Sequence, residues 1–480
     1  MLKSVAAAWD AVWAIPHIGT YLSIAWVAYL VGLALWIVLQ KRDPAATLSW
    51  LLGLALLPYV GLVVYYLFGP HRIHRQRRRR RRTRTGHTLA GESSAADGLG
   101  RMLERTGGLS PSSATDLRLL VDGAATYDAL LEAINSATDH VHAEYYIFAA
   151  DESGRAIRDA LTAAARRGVK VRLLLDALGS GLDMRFGFFR ELSAAGGEVE
   201  WFHRLRLWRF WRKPWLNLRS HRKIVVVDGR IGFTGGINVT DTENERGNPV
   251  AYRDLHLRLE GPVVRSLQQV FVEDWAYSRG QPGTLVEPDA GLAAPDAGAV
   301  PVQVIASGPD DGWEAIHRGW VSAIHSAKQR LWLSTPYFVP GEAALMALTS
   351  AALRGVDVRL IVPRRSDSLL VTWAARSYFD ALLPAGVRVF EYGPRMLHSK
   401  AMLVDDETLV IGSANFDNRS FRLNFEVACC ITDREHNAEL AEVMSEDIAS
   451  SREVDQRELR DRSLLQRLPE AFARLMSPLL

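Results

Sequence analysis

The sequence predicts an α/β protein: two copies of one domain, set behind a membrane anchor of two transmembrane helices. Three observations predict it. Two long charge-free runs occupy the first seventy residues, matching segments recur 177 to 190 residues apart, and helical and strand-like patterns alternate within the copies. At roughly 100–200 residues per domain, 480 residues allow two to four domains. With 48% hydrophobic and 23% charged residues the chain can bury a normal core, which excludes a wholly disordered protein. Its two cysteines, adjacent at Cys429 and Cys430, exclude a disulfide scaffold or a four-cysteine zinc module.

Residues 21–40 and 44–70 contain no charged side chain. A helix needs about 20 residues to cross a hydrocarbon core of about 30 Å, so spans are expected at about 20–40 and 47–69. The runs are too long and too close together for a cleaved signal peptide. Only Lys41, Arg42 and Asp43 separate them, which makes residues 1–70 a hairpin. Nine arginines and no acid follow within residues 71–84. Positive charge beside a span stays cytoplasmic, so the large C-terminal region is expected on that side. The tract can also attract anionic headgroups, at roughly 1 kcal/mol per residue near the surface, or serve as a topology signal alone. Without those nine arginines, 48 basic residues stand against 54 acidic ones, a net of −6. That balance counts against nucleic acid as a partner. Residues 71–112 read as a polybasic tract followed by a Gly, Ser, Thr and Ala-rich tether.

The body is a duplication. Ala133-Ile-Asn-Ser-Ala137 precedes a strand-like run at 142–148, and Ala323-Ile-His-Ser-Ala327 precedes one at 331–338. A helical pattern then ends at Gly168 before Val-Lys-Val-Arg-Leu-Leu174, and at Gly355 before Val-Asp-Val-Arg-Leu-Ile361. Glycine closing a helix before a β-branched run marks an α-to-β connection. The expected domains are 113–280 and 301–480, joined by a Pro, Gly, Ala and Asp-rich linker at 281–300.

Each copy carries H-x-K-x4-D: His221, Lys223 and Asp228 in the first, His398, Lys400 and Asp405 in the second. Asn238 and Asn415 each follow their histidine by seventeen residues, in Gly-x-x-Asn. Residues two apart on a strand share a face, so each His and Lys project together while the apolar run behind them enters a core. Two copies about a pseudo-twofold axis would place two imidazoles, two ammonium groups and two amides around one cleft. That set suits displacement at a phosphodiester. One neutral imidazole attacks phosphorus, the other in protonated form donates to the leaving oxygen, and Lys and Asn hold the non-bridging oxygens. Asp228 and Asp405 belong to the motif, but at the end of an apolar run they read as turn-holding rather than proton-carrying. No metal-ligand cluster is evident beyond the paired histidines.

These motifs resemble the phospholipase D superfamily with its paired HKD segments, and more closely the bacterial cardiolipin synthases with two N-terminal spans. The likeness extends over nearly the whole chain, through Glu144-Tyr-Tyr-Ile-Phe148, Thr335-Pro-Tyr-Phe338 and the tail from Ala473 to Leu480. It implies two phospholipase D-like α-β-α domains, a phosphatidyl-histidine intermediate, and no cofactor. It implies phosphatidylglycerol and anionic membrane lipid as partners, one phosphatidylglycerol giving up glycerol to a second. It also implies a multi-pass protein of the bacterial inner membrane with catalytic domains on the cytoplasmic face. The two halves are near-equivalent, so the residues leave open which histidine attacks; superfamily analogy implies His221 as nucleophile and His398 as acid. In the family a carboxylate further along orients each histidine. Glu426 matches in the second copy, twenty-eight residues after His398. In the first copy that spacing reaches Pro249, and Asp254 is the counterpart after a short insertion. A further departure is Gly236, where the other copy has Ser413 and its hydroxyl.

Just before His221, Arg204, Arg206, Arg209, Arg212, Lys213 and Arg219 interleave with Trp208, Phe210, Trp211 and Trp215. This pattern describes an interfacial segment, a strand binder of nucleic acid, or a helix with packed tryptophans. The C-terminal run from Leu464 to Leu480 reads as a packed terminal helix, with an interfacial helix as the alternative. The competing functions are a hydrolytic phospholipase D, transfer to another alcohol, a membrane-tethered nuclease, or a non-catalytic lipid-binding scaffold.

Overall fold

In a computed structural model of the chain, the apolar run behind each histidine is a short strand buried at every position, Ile224–Val227 and Ala401–Val404. The structure describes residues 16–39, 44–57, 61, 98–107, 109–181, 187–203, 218–280, 298–310 and 312–477. It divides into two units, Met1–Arg72 and Ile73–Leu480.

In the first unit, α1 (Ile18–Val38) has 21 apolar or uncharged residues, about 31 Å at 1.5 Å per residue, enough to cross a membrane. Helix α2 (Pro44–Leu56) has 13 residues, and Leu54 packs with Ile37 of α1. One helix of spanning length is therefore described. The rest of the expected second span, at 58–60 and 62–69, lies outside the described residues, as do Lys41, Arg42, Asp43 and the arginine tract.

The second unit opens earlier than the composition suggested. Residues 98–107, expected within the tether, form α3 (Gly98–Gly107), whose Leu103 is buried against the second copy beside Ile305 and Trp320. Leu99, Met102 and Leu103 recur at helical spacing, which outweighs the small and polar residues around them.

The first copy runs through β1 (Ser112–Ala114), β2 (Asp116–Val121), α4 (Asp122–Ser136), β3 (His140–Tyr145), α5 (Glu152–Arg166) and β4 (Lys170–Asp176). It continues with β5 (Glu198–Phe202), β6 (Ile224–Val227), β7 (Ile231–Gly235), β8 (Leu255–Glu260) and α6 (Val263–Arg279). The second copy begins with β9 (Val300–Ser307), α7 (Ala315–Ser326), β10 (Arg330–Ser334), β11 (Phe338–Val339), α8 (Glu342–Leu353) and β12 (Asp357–Pro363). Helix α9 (Leu369–Arg376), β13 (Arg388–Tyr392), β14 (Ala401–Val404), β15 (Thr408–Gly412), β16 (Phe416–Asp417) and β17 (Glu426–Thr432) follow. The chain closes with α10 (Arg434–Ala449), β18 (Ser451–Glu453) and α11 (Leu464–Leu475).

The duplication is explicit in the sheets. The first has the order β2-β8-β7-β6-β3-β4-β5, and the second contains β9-β17-β15-β14-β10-β12-β13. Strand by strand these correspond, with β3, β4 and β5 parallel like β10, β12 and β13, and the other pairs antiparallel. Strands β6 and β14, which follow His221 and His398, are central in both orders. One core is shared between the copies: Ile224, Val226 and Leu257 from the first pack with Leu403, Ile411 and Val427 from the second. Burying that apolar surface jointly makes the two copies one body, since each face is covered by the other.

Candidate active site

The two histidines are fixed by backbone pairing across the copies. Ser220, just before His221, forms a bridge with Phe425, and Leu397, just before His398, forms one with Arg253. The His221 amide donates to the Phe425 carbonyl at 2.9 Å, and the His398 amide to the Arg253 carbonyl at 2.7 Å. Each bridge sets the histidine of one copy beside the carboxylate that follows the bridged residue in the other.

The carboxylates are consequently exchanged. His221 Nδ1 lies 3.0 Å from Glu426 Oε2, and His398 Nδ1 lies 2.5 Å from Asp254 Oδ2. The expectation that each copy orients its own histidine is corrected: Glu426 serves the first histidine and Asp254 the second. The spacing within each motif is silent about the crossing, which arises from the bridges.

The two pairs differ electrostatically. A carboxylate only accepts, so His221 donates Nδ1–H and leaves Nε2 with its lone pair. Glu426 also accepts from Ser413 Oγ at 2.5 Å and from Asn424 Nδ2 at 3.1 Å. Burial pushes the Glu426 pKa up, but His221, Lys223 and the Ser413 hydroxyl outweigh it and hold the group below its ordinary value. Burial also lowers His221, with Glu426 opposing and the ammonium groups of Lys223 and Lys400 reinforcing. Asp254 is pushed up to about 6 by burial, against the pull of Lys400. His398 is held well below its usual value, by burial first and by Lys400 next, and His221 is near enough to add to the effect.

The lysines share the histidine face, as alternation requires. Lys223 Nζ donates to the His221 carbonyl at 2.7 Å, and Lys400 Nζ donates to the His398 carbonyl. Lys400 also lies 2.8 Å from His398 Nδ1 and 3.3 Å from Asp254 Oδ2. Lys223 is lowered to about 7, by burial and then by the charge of Lys400.

The asparagines have unequal partners. Asn238 donates from Nδ2 to Glu243 Oε1 at 2.7 Å, and its Oδ1 accepts from the Ile147 amide at 3.2 Å. At the matching position to Glu243 stands Ser420, which accepts from the Asn415 amide at 3.2 Å. Asn415 Oδ1 is buried with no hydrogen-bond partner among the described residues.

Asp228 and Asp405 stay out of the cluster. Each ends its strand at positive φ, 51° and 53°. Asp228 accepts from the amides of Thr138, Asp139 and His140 and from the Thr138 hydroxyl, at 2.8–2.9 Å. Asp405 accepts from the amides of Lys328, Gln329 and Arg330. Asp228 lies seven residue steps beyond His221, about 23 Å along an extended chain at about 3.3 Å per residue. Their membership of the motif is therefore structural, and they are removed from the reacting set.

Gly236 answers the question raised by Ser413. A Cβ at Gly236 would stand 2.1 Å from Asp254 Oδ1. The shorter Asp254 fills the space that Ser413 occupies beside the longer Glu426.

Several site residues were not legible in the sequence. Glu243 lies 4.0 Å from His398 Nδ1 and belongs to no repeated motif. His256 is buried, with its pKa lowered to about 3 by burial, Lys223 and Lys400. Its position two residues beyond Asp254 was the available signal. Tyr146 and Tyr252 set their rings 5.0 Å and 5.3 Å from His221 and His398. Glu243, Asp254 and His398 also bring possible metal-ligand atoms within 4.8 Å of one another, a cluster the sequence did not reveal. Its centre is contested by the Lys400 ammonium, already in contact with two of the three. Of the basic and aromatic segment, 204–217 lies outside the described residues; Arg219 is buried, 3.5 Å from Asp176 Oδ1, rather than presented to lipid.

Comparison with known proteins gives one consistent picture. A family profile described as "Cardiolipin synthase, PLD-like domain" matches residues 130–275 and 320–448, and one described as phospholipase D-nuclease N-terminal matches 27–70. Cardiolipin synthase 1 of Bacillus anthracis is 36% identical, over 96% of this chain and 94% of its own length. Cardiolipin synthase A of Pseudomonas fluorescens is 38% identical, over 97% and 99%. Cardiolipin synthase of Geobacillus sp. WCH70 is also 38% identical, over 95% and 92%. Among solved structures, phosphatidylserine synthase of Haemophilus influenzae aligns over 80% of this chain and all of its own, with a TM-score of 0.59 and 15% identity. That last likeness bears on the fold alone.

Proposed function

The chain belongs to the phospholipase D-like cardiolipin synthase family, and on that premise we propose that it transfers a phosphatidyl group from one phosphatidylglycerol to another, releasing glycerol. It is a phosphatidyltransferase, and its substrates are phospholipids. The observation that carries the mechanism is the crossed pairing of two buried imidazoles with two carboxylates of opposite tendency.

In the first step Nε2 of His221 attacks phosphorus. The phosphorus–nitrogen bond forms as the bond to the glycerol oxygen breaks. The ionised Glu426, steadied by Ser413 and Asn424, supports the positive charge that develops on the ring. His398 in protonated form passes Nε2–H to the leaving oxygen while Asp254 accepts from its Nδ1–H. In the second step His398 takes the proton of the incoming glycerol hydroxyl, whose oxygen displaces His221. Lys223 and Lys400 hold the non-bridging oxygens, and Nδ2 of Asn415, which has Ser420 where Asn238 has the accepting carboxylate of Glu243, is the better placed of the two to join them.

The proposed arrangement is residues 1–70 as anchor, 113–280 and 301–480 as the two catalytic lobes, and a bacterial inner membrane location with the lobes on the cytoplasmic face. The apolar α1 and the family match at 27–70 support an anchor. A second span at about 47–69 rests on the uncharged sequence there. The decisive experiment gives the purified chain headgroup-labelled phosphatidylglycerol in bilayers. Labelled glycerol and cardiolipin in equal amounts are expected; phosphatidic acid without cardiolipin overturns the transferase reading.

A further inference from the structure

The final helix of the second copy is inside out. Glu470 and Ala473 of α11 are buried, and their face is held by polar contacts. Glu470 pairs with Arg462 and with Arg376, and Arg474 Nη1 donates to the Ser377 carbonyl at 2.9 Å. Leu464, Leu465, Leu468, Phe472 and Leu475 occupy one arc of about 100° on the other side. They are 62–82% exposed. The expectation of a packed terminal helix is thus met only by the polar and small residues. Helix α9 packs against α11 and exposes Leu369 and Trp373. A monomeric soluble protein rarely leaves so many large apolar side chains together in water.

This face begins at the mouth of the site. Asp367, two residues before α9, accepts from the Tyr337 hydroxyl at 2.7 and 2.8 Å. It is also close enough to Tyr252 to raise that phenol's pKa, and Tyr252 lies against the His398 ring. Arg364 and Arg365 precede α9, and Arg467 lies beside the leucine arc; all three are exposed and in no ion pair among the described residues. Leucines and an aromatic flanked by unpaired arginines match an anionic lipid surface. A second copy packed face to face would instead set like charges against one another.

We propose that α9 and α11 form a bilayer-docking face that lays the mouth of the site on an anionic lipid surface. Substrate headgroups then enter without leaving the interface. The inference rests on the lipid phosphatidyltransferase reading and adds the surface that serves it.

The test uses the full chain in phosphatidylglycerol vesicles with an environment-sensitive dye on Leu468→Cys or Phe472→Cys. Cys429 and Cys430 are buried, so the introduced thiol is the one that reacts. Spin-labelled lipid is expected to quench dye at both positions and to leave dye on Glu442→Cys, an exposed residue of α10, unaffected. The double variant Leu468→Glu, Phe472→Glu is expected to release glycerol about tenfold more slowly from vesicles. On dispersed short-chain phosphatidylglycerol it should match the unsubstituted chain. Dye at 468 and 472 that lipid does not quench, thiol cross-links between copies at these positions, or an unchanged vesicle rate would overturn the proposal. If the unsubstituted chain releases no glycerol from either substrate, the transferase reading fails, and quenching alone decides whether the face docks.

Discussion

His221 and Glu426 stand 205 positions apart in sequence, yet His221 Nδ1 lies 3.0 Å from Glu426 Oε2. His398 and Asp254 form the reciprocal contact. Each half of the duplication is therefore incomplete: it supplies an imidazole and borrows the carboxylate that orients it.

The exchange predicts which substitutions resemble each other. Glu426→Gln should behave like loss of His221, and Asp254→Asn like loss of His398. Each should lower turnover by roughly 10²–10⁴-fold. An activated phosphodiester with a nitrophenolate leaving group needs no proton. On that substrate Asp254→Asn and His398→Ala should recover most of their loss, whereas Glu426→Gln should not. Recovery by Glu426→Gln instead would reverse the assignment of nucleophile and acid.

Lys223 sets a prediction in pH. A lysine carries charge below its pKa, and here that value is lowered to about 7 by burial and by Lys400. In the free enzyme kcat/KM should therefore begin to fall as pH rises past about 7, not near the ordinary lysine value of about 10.4. Lys223→Arg, which stays charged, should move that limb to higher pH. A profile flat to pH 9 would show that Lys223 is not the group responsible.

Gly236 and Ser413 occupy matching positions and should respond differently. Gly236→Ala forces a methyl into the space of the Asp254 carboxylate, so a cost of about 1–3 kcal/mol and loss of activity are expected. Ser413→Ala removes one donor to Glu426, for about 1 kcal/mol. Thermal melts and initial rates on both variants check the order.

Asp228→Asn and Asp405→Asn should cost stability rather than chemistry, about 1–2 kcal/mol each from the amide contacts they weaken. The folded fraction should keep its turnover. The pKa of Asp228 lies below the ordinary value because backbone amides outweigh its burial. Its contribution is then present above about pH 4 and is lost as pH falls through the lower folded value. Acid unfolding of the Asn variant should lack that component.

Lys400 already contacts two members of the Glu243, Asp254 and His398 trio. EDTA should accordingly leave glycerol release unchanged. A loss restored by a divalent ion would assign the trio to a metal.

Period and repetition made much of this protein legible. His221 and Lys223 project together because residues two apart on a strand share a face, and the same holds for His398 and Lys400. Recurrence of whole segments announced two equivalent sheets, and the uncharged stretch at 21–40 announced α1. Tertiary structure alone decided the rest. The Ser220–Phe425 and Leu397–Arg253 bridges determine which carboxylate meets which histidine, and they join strands whose sequence spacing carries no trace of the encounter. Glu243 and His256 enter the site the same way, brought in by a 3-10 turn at Asp241–Glu243 and by β8 without a repeated motif. The leucines of α11 face outward because the burial of Glu470 and Ala473 orients the helix, a choice amphipathic spacing leaves open. Local pattern fixes which side chains share a face; contacts between distant segments fix what that face meets.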